Sequence, residues 1–271
     1  MQKTVITQHK TWKSFFKELW DYKDVLFFLT WRDLLVQYKQ TVIGVFWVIL
    51  RPLMTVFIFT IVFNRIAGLG MQNVAYPLIV LSGMLVWQFF ADVFNHGSIS
   101  FLSNVQLTSK VYFPRVFLPG SRLLCGCIDF LITFIFYSGL SYFRYGVTYN
   151  YKLLLLIPVF IWLIFFTFFT TIFFALLIVY YRDIRHIIPF ILQFGLYSTP
   201  VAFSVSMLPS IFKYILSVNP LTGIIHSLRY ILLHQQLDIN VIGIGLFVTS
   251  IIIFISSFYF KKNEQYIPDC V

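Results

Sequence analysis

The sequence is short of charged residues. Only 11% of its 271 residues are charged, whereas 59% are hydrophobic, and the mean hydropathy is +0.84. A soluble globular chain carries about 25% charged residues, so this chain has too few to cover a surface that faces water. The shortage excludes intrinsic disorder and a soluble nucleic-acid-binding domain, despite a net charge of +10. This is the composition of an integral membrane protein.

Cysteine is also scarce. The three cysteines, Cys125, Cys127 and Cys270, form no disulfide framework. Cys125 and Cys127 stand two residues apart in an apolar run and would face different sides of a helix. We therefore expect neither a metal site nor a redox site.

Catalytic motifs are absent from the sequence. It contains no GxxxxGK[ST] phosphate loop, no HExxH and no GxSxG, and its few acidic residues mostly flank apolar runs. We therefore expect a protein that is not an enzyme and binds no cofactor of its own. If it transports a substrate, the energy must come from an ion gradient or from another subunit.

Six apolar segments are long enough to cross a bilayer as helices, which takes about 20 residues each. The expected fold is therefore an all-α integral membrane domain that occupies the whole chain, 1–271. The first forty residues hold no uninterrupted apolar core, so we expect no cleavable signal peptide. The predicted spans are 41–63, 76–102, 116–143, 153–180, 184–207 and 239–260.

Positive charge is distributed unevenly between the two sides of these spans. With six spans both termini share one side, which receives fourteen Lys and Arg residues against five on the other. The positive-inside rule places both termini in the cytoplasm, so the charge of +10 is mainly a topology signal. The fourteen are Lys3, Lys10, Lys13, Lys17, Lys23, Arg32, Lys39, Lys110, Arg115, Arg122, Arg182, Arg185, Lys261 and Lys262. The five are Arg65, Arg144, Lys152, Lys213 and Arg229.

Two segments do not span. In residues 11–23, Trp and Phe recur at helical spacing opposite charged residues, which predicts an amphipathic helix in the membrane interface. Residues 208–237 hold two short apolar patterns, at 211–216 and 224–233, on either side of Asn219-Pro220. Because proline breaks a straight helix, we expect a re-entrant hairpin on the outer side, acting as a lid.

Four ionisable residues, Arg51, Asp92, His96 and Asp129, fall inside apolar runs. A charge there costs on the order of 2.5–3.5 kcal/mol, so each implies a partner or an aqueous cavity. Arg51 and Asp92 lie at matching depths, which predicts an ion pair between the first two spans. Alternatively, Arg51 contacts an anionic substrate. For Asp129 and His96 we expect a structural role, with a proton relay as the alternative.

Four stretches of the sequence, in order along the chain, resemble one family. They are W-R-D-L-L-V-Q-Y-K-Q-T-V-I-G-V-F-W-V-I-L-R-P-L at 31–53, Asn104 with S-K-V-Y-F-P-R at 109–115, Y-Y-R-D-I at 180–184 followed by Y-S-T-P-V at 197–201, and L-S-V-N-P-L at 216–221 with Arg229. These stretches resemble polysaccharide ABC exporter permeases, and most closely the O-antigen exporters of Gram-negative bacteria. The resemblance covers nearly the whole chain.

The resemblance implies a homodimer of permeases joined to two copies of a separate ATPase subunit, which would bind ATP and Mg. The substrate would be a lipid-linked polysaccharide that crosses the bacterial inner membrane. A capsular polysaccharide or teichoic-acid exporter is the alternative within this architecture. An ion-coupled secondary carrier would instead use Asp92, Asp129 and His96 as coupling sites, and a membrane glycosyltransferase would need catalytic groups that the loops hardly supply.

The resemblance also implies where the ATPase subunit binds. Residues 103–115 would form the coupling helix, and Arg32-Asp33 and the turn at Arg182-Asp183 would lie at the same interface. The alternative is that these charges simply reach water from helix ends. The recognisable positions of the coupling helix are Asn104, Lys110, Pro114 and Arg115.

Aromatic residues make up 20% of the chain. Tyr and Trp offer flat apolar faces with polar edges, which suit a sugar polymer that slides. In the resembling family, spans one and five line the substrate path. The alternative is that most of these rings face lipid or neighbouring helices. The resulting path candidates are Trp47, Arg51, Phe59, Phe194, Tyr197 and Phe203.

Overall fold

A computed structural model of the chain describes residues 12–39, 44–62 and 75–263. Within these ranges every regular element is a helix, which confirms the all-α prediction. The α-helices are α1 (Trp12–Asp21), α2 (Lys23–Lys39), α3 (Phe46–Phe59), α4 (Tyr76–Ser98), α5 (Ser100–Ser103), α6 (Val105–Lys110), α7 (Phe117–Tyr145), α8 (Leu156–Tyr180), α9 (Ile184–Ser198), α10 (Ser210–Ser217), α11 (Pro220–Leu233) and α12 (Ile239–Asn263).

Among the described residues, four helices are long and apolar enough to cross a membrane: α4, α7, α12, and α8 together with the 3-10 turn that precedes it. They correspond to four of the six predicted spans. The first predicted span appears as the shorter apolar helix Phe46–Val62, and its ends at 41–43 and 63 lie outside the described residues. Residue 11 of the predicted interfacial helix lies outside them as well.

Helix α4 forms the centre of the fold. In its most apolar stretch 78% of the residues are buried inside the protein, against 28% in α7 and 22% in each of α8 and α12. It packs against α3, α7, α8, α9 and α11. Gly126 lets α7 approach α4 closely, because a Cβ atom there would lie 2.4 Å from Val93 Cγ2.

The helix bundle has two ends, which we name by their elements. The α6 end is where α4 finishes, α5 and α6 follow, and α7 begins; the hairpin end carries α10 and α11. A separate apolar cluster closes the α6 end, joining Leu29 of α2 and Phe101 of α5 to Phe117, Ala175 and Phe260 of three long helices. Helix α2 is thus anchored in the bundle.

Three predicted elements differ from the structure in their helical extent. The second predicted span, 76–102, is divided at Ile99 into α4 and α5. The predicted coupling helix, 103–115, is helical only over Val105–Lys110, and Val111 is extended (φ −129°, ψ 132°). Pro114 explains why the helix does not resume, because a proline keeps the preceding residue out of the helical region.

The fifth predicted span, 184–207, is helical only over Ile184–Ser198, which corrects the expectation of one continuous helix. Thr199 is extended (φ −96°, ψ 137°), as expected for a residue that precedes a proline, here Pro200. Residues 199–204 continue without helical structure until the short turn Val205–Met207.

Helix α10 ends at Ser217 and α11 begins at Pro220, so the break falls at Asn219-Pro220, as the sequence predicts. Helix α11 is apolar around most of its circumference, and all its residues except Tyr230 are buried, against α4, α8 and α12. The second helix of the hairpin thus belongs to the core, and the re-entrant lid remains a prediction. Helix α10 keeps an exposed apolar face, with Ile211 70% and Ile215 61% exposed.

Candidate functional site

Helix α2 lies along the first half of α7 and runs in the same direction. The Cys125 thiol donates to the Thr30 carbonyl at 3.7 Å, and the Gln37 side chain donates to Asp129 at 3.0 Å. The sequence analysis did not predict this helix. The sequence signal for α2 was the spacing of Leu29, Asp33 and Gln37, which places them on one face of a helix. Because two of these three residues are polar, the face that α2 turns toward α7 does not look apolar in the sequence.

Asp33 is the centre of a polar network on this face. Its side chain is only 4% exposed, and it accepts hydrogen bonds from Arg32 Nη2 at 2.8 Å and from Ser121 Oγ at 2.9 Å. Arg122 Nε lies 3.2 Å from the second carboxylate oxygen, Oδ2. Two guanidinium groups therefore balance one buried carboxylate, as burial of a charge requires.

Asn104 connects this network to α5. Arg32 Nη2 donates to Asn104 Oδ1 at 3.1 Å, and the Asn104 amide donates in turn to the Ser100 carbonyl at 2.9 Å. Three residues that the resemblance assigns to coupling, Arg32, Asp33 and Asn104, thus form one hydrogen-bonded group between α2 and α5.

The other coupling candidates form two groups, one exposed at the surface and one buried. Lys110 is exposed at the end of α6, and Arg182 and Asp183 are exposed in the turn between α8 and α9. Pro114 is buried, and Arg115 is only 8% exposed, with its guanidinium 5.5 Å from the centroid of the Phe113 ring. The first three lie at the surface of this chain, whereas Pro114 and Arg115 pack inside it.

Two adjoining cavities of about 240 and 290 Å³ lie between α2, α3, α4 and α7, and together we call them the polar pocket. Both are lined by Gln37, Arg51, Asp92 and Asp129. Arg51 Nη1 lies 3.9 Å from Asp92 Oδ1, so the structure brings the predicted ion pair together. The Gln88 amide donates to Asp92 Oδ2 at 2.7 Å.

Asp129 is held in the polar pocket by the end of α2. Both the Gln37 amide and the Tyr38 hydroxyl donate to its carboxylate. Burial and the hydrogen bond to Asp129 raise the pKa of Tyr38, so this hydroxyl stays protonated and remains a donor. His96 also lines the pocket, and its Nδ1 lies 3.0 Å from the Asp92 carbonyl oxygen.

The aromatic path candidates are spread over two helices and a loop. Trp47 is 42% exposed and lines the polar pocket, while Phe194 and Tyr197 on α9 are 70% and 65% exposed. Phe59 is buried in the main apolar core, and Phe203 is half-buried in the non-helical segment after α9. Among these five rings, only Trp47, Phe194 and Tyr197 present open surface on this chain.

Arg229 forms the second polar centre, toward the hairpin end. It is 1% exposed and donates from Nη1 to the Phe203 carbonyl at 2.7 Å. Its Nη2 donates to the carbonyls of Val201 and Ile79 at 2.8 and 2.9 Å, and its Nε donates to Ser82 Oγ at 3.2 Å. These acceptors lie beyond the end of α9 and within α4, so Arg229 binds three elements together.

Hydrogen bonds from the hairpin reinforce this arrangement. The Asn219 amide donates to Thr199 Oγ1 at 3.0 Å, and Asn219 Oδ1 accepts from Leu221 N at the start of α11. The Ser204 hydroxyl donates to Gln235 at 3.1 Å. The non-helical segment 199–204 is thus held by side chains, as backbone inside an apolar environment must be.

Sequence reasoning counted Arg229 among the outer charges and missed its burial. The signal that could have found it was an arginine inside the apolar run of α11, where an ionisable residue demands partners. Its partners are mainly backbone carbonyls, and a sequence pattern does not reveal those.

In the described residues, an all-helical bundle with several membrane-length apolar helices and a polar pocket among them defines the class of helical integral membrane proteins. The sequence model of the ABC-2 type transporter family matches residues 24–233, and the chain belongs to that family. The match includes α2 from its second residue and runs to the last residue of α11, so the polar pocket and the Arg229 centre both lie within it.

Three relatives carry the same name. Two O-antigen export system permease proteins, both called RfbA and both from Klebsiella pneumoniae, are 31% and 30% identical to this chain over 231 residues. Those matches cover 85% of this chain and 88% of each relative. An O-antigen export system permease protein RfbA from Myxococcus xanthus is 23% identical over 257 residues, which cover 92% of this chain and 96% of the relative. The family that the sequence motifs indicate is confirmed.

Proposed function

We propose that this chain is the permease subunit of an ATP-driven exporter that moves a lipid-linked polysaccharide of the O-antigen type. The observation that carries the proposal is the similarity, over 85% of the chain, to relatives named O-antigen export permeases. Their names favour O-antigen over a capsular polysaccharide or a teichoic acid. Membership of the ABC-2 type family disfavours an ion-coupled carrier.

The proposed topology has six crossings, with both termini in the cytoplasm of a bacterium and the spans in its inner membrane. Helix α9 has 15 residues and reaches about 22 Å, less than the ~30 Å of a bilayer core. Residues 199–207 would complete that crossing, since Val201 lies against Gly83, one third of the way along α4. The uneven distribution of Lys and Arg supports the orientation.

The proposed assembly is a homodimer with two ATPase subunits, which carry ATP and Mg. In this orientation the α6 end faces the cytoplasm, so exposed Lys110, Arg182 and Asp183 are placed to contact the ATPases. The network of Asp33, Arg32 and Asn104 lies behind them and links α5 to α2. It would pass movement of the α6 end to the polar pocket.

The proposed path is lined by the exposed aromatic rings of α3 and α9. Trp47, Phe194 and Tyr197 supply flat surfaces for sugar rings. Weak, repeated contacts of this kind suit a polymer that must slide. Membrane lipids would cover the outer faces of α7, α8 and α12, since most residues in the apolar stretches of these helices are not buried on the single chain.

The test is reconstitution. The chain should co-purify with an ATPase subunit encoded beside it, and proteoliposomes that contain both should translocate lipid-linked polysaccharide only with hydrolysable ATP. A Walker-motif variant of the ATPase is the matched control and should abolish transport. Transport by this chain alone on an ion gradient would contradict the proposal.

A further inference from the structure

The polar pocket has a composition that points to a ligand class. Its two cavities are lined by two carboxylates, Asp92 and Asp129, and by the guanidinium groups of Arg51 and Arg122. Each charge already has an opposite charge or a donor beside it: Asp92 faces Arg51, Arg122 faces Asp33, and Asp129 accepts from α2. The formal charges of the lining therefore cancel.

This balance disfavours a phosphate or diphosphate group as the ligand. Sites for such anions concentrate arginine or lysine around the phosphate oxygens. Here an anion that approached Arg51 would lie next to the Asp92 carboxylate, whose Oδ1 is 3.9 Å from the guanidinium. The repulsion would offset the attraction at short range.

The same lining suits hydroxyl groups, which both donate and accept hydrogen bonds. Asp92 and the Gln88 side chain offer acceptors, and Arg51, whose side chain is 58% exposed, offers unused donors. Trp47 stands at the same cavity, 42% exposed, and offers a flat face to the C–H side of a ring. Planar polar side chains beside an open aromatic face match a ring that carries several hydroxyl groups.

The pocket is also open to a ligand rather than sealed in the core. The Arg51 side chain is 58% exposed and that of Asp92 is 30% exposed. Asp129, by contrast, is fixed by Gln37 and Tyr38 from α2, which sets the shape of the inner wall. The pocket therefore combines a fixed inner wall with accessible polar groups at its mouth.

We propose that the polar pocket binds a sugar unit of the transported glycan, in preference to the phosphate groups that join the glycan to its lipid. This assignment rests on the proposed function, and it gives Asp92, Gln88 and Trp47 the role of sugar-contacting residues. The pocket lies within one chain and includes Trp47, one of the proposed path residues, so a sugar unit can be held there as the polymer advances.

The experiment uses the full complex in membranes, with Val48→Cys as the reporter in a chain whose native cysteines are replaced by alanine. Val48 lines the pocket, and Asp24→Cys, exposed at the start of α2, is the matched control reporter. The rate of maleimide labelling is measured with oligosaccharide released from the glycan, free of lipid and phosphate, and separately with inorganic pyrophosphate. The oligosaccharide should slow labelling at Val48→Cys and leave Asp24→Cys unchanged, whereas pyrophosphate should change neither.

Substitutions of residues that line the polar pocket test which interactions bind the sugar unit. Gln88→Ala should weaken protection by the oligosaccharide by about fivefold, the equivalent of one hydrogen bond. Trp47→Phe should keep protection and Trp47→Leu should lose it, because only the former keeps a flat face. Asp92→Asn should let pyrophosphate protect, since it leaves Arg51 without its carboxylate.

Protection by pyrophosphate alone in the unaltered pocket, or by neither probe, would overturn the proposal. ATP-driven export is measured on the same membranes, so that the two claims separate. If export occurs without protection, the pocket assignment fails and the proposed function stands. If the parent complex exports no polysaccharide, the proposed function fails.

Discussion

Arg229 and Arg51 are both arginines within apolar helices, but the protein holds them in opposite ways. Arg229 is 1% exposed and makes four hydrogen bonds to neutral oxygen atoms, three of them backbone carbonyls. The Arg51 side chain is 58% exposed and faces one carboxylate at 3.9 Å. One arginine fastens the backbone, and the other remains available at the edge of a pocket.

The contrast shows two ways in which an apolar fold uses a charge. The carbonyls of Val201 and Phe203 depend on Arg229 as a donor, because the break after Ser198 takes both residues out of any helix. The Arg51–Asp92 pair is long, at 3.9 Å, and lies at the open edge of the polar pocket on the single chain, so we expect its contribution to stability to be small. We expect Arg229 to serve the fold and Arg51 to serve the substrate.

Removing Arg229 should have the largest effect. Arg229→Met takes the donor away from the Val201 and Phe203 carbonyls in the core, and the cost should be about 3–5 kcal/mol. The measurement is the thermal midpoint of the purified complex in detergent. Arg229→Lys is the matched control and should recover part of the loss, because it keeps the charge and three donors. An unchanged midpoint in Arg229→Met would remove the distinction between the two arginines.

Adding a side-chain atom next to Arg229, with the arginine itself unchanged, should cause the second-largest loss of stability. In Gly83→Ala, the new Cβ would lie 2.8 Å from Val201 Cα and 3.1 Å from Arg229 Nη2, and backbone cannot move aside cheaply. We expect a loss of about 1–3 kcal/mol, again read from the thermal midpoint. Gly139→Ala in α7 is the control, since its Cβ would meet nothing within 4 Å. Equal midpoints for the two variants would show that the close approach is unimportant.

Reversing the charge of Arg51 or of Asp92 should have a small effect on stability and a larger effect on export. An exposed pair contributes about 0.2–1 kcal/mol, and each single reversal also places two like charges side by side, so Arg51→Asp and Asp92→Arg should each lower the midpoint, but by less than Arg229→Met does. Each single variant should reduce ATP-driven export, and the double variant should recover part of it. Failure of the double variant to recover any export would count against the pair.

Removing the ion pair between Lys213 and Asp238 at the hairpin end should have the smallest effect on stability. The hydrogen bond from Lys213 keeps the pKa of Asp238 below its usual value. A lowered carboxyl pKa adds stability at pH values above the unfolded pKa, and this is lost as the pH falls below about 4. Lys213→Met should therefore show a smaller acid-induced drop in thermal midpoint than the parent. An equal drop in the two proteins would show that this ion pair adds no stability.

Part of this molecule could be predicted from the sequence. Long apolar runs determine α4, α7, α8 and α12, because length and hydropathy alone select a spanning helix. The break between α10 and α11 follows from Pro220, whose ring excludes a continuous helix. Arg51 and Asp92 could be paired because helical rise converts sequence distance into depth.

The features that the sequence did not reveal depend on contacts between distant segments. One face of helix α2 carries both polar and apolar residues, and its polar residues find their hydrogen-bond partners in Ser121 and Asp129 of α7. The end of α9 could be suspected at Pro200, but the donor for the carbonyls beyond it is Arg229, almost thirty positions further along. Aromatic path candidates present the same difficulty, since Phe59 and Phe194 look alike in sequence but only Phe194 is exposed.

The same substitution, made separately at each arginine, distinguishes their roles in one experiment. Arg229→Met and Arg51→Met are compared in the reconstituted complex, with thermal midpoint and ATP-driven polysaccharide export measured on one preparation of each. We predict that Arg229→Met lowers the midpoint and export together, whereas Arg51→Met lowers export at a midpoint close to the parent's. Equal loss of stability in the two variants, or full export by Arg51→Met, would contradict this division of roles.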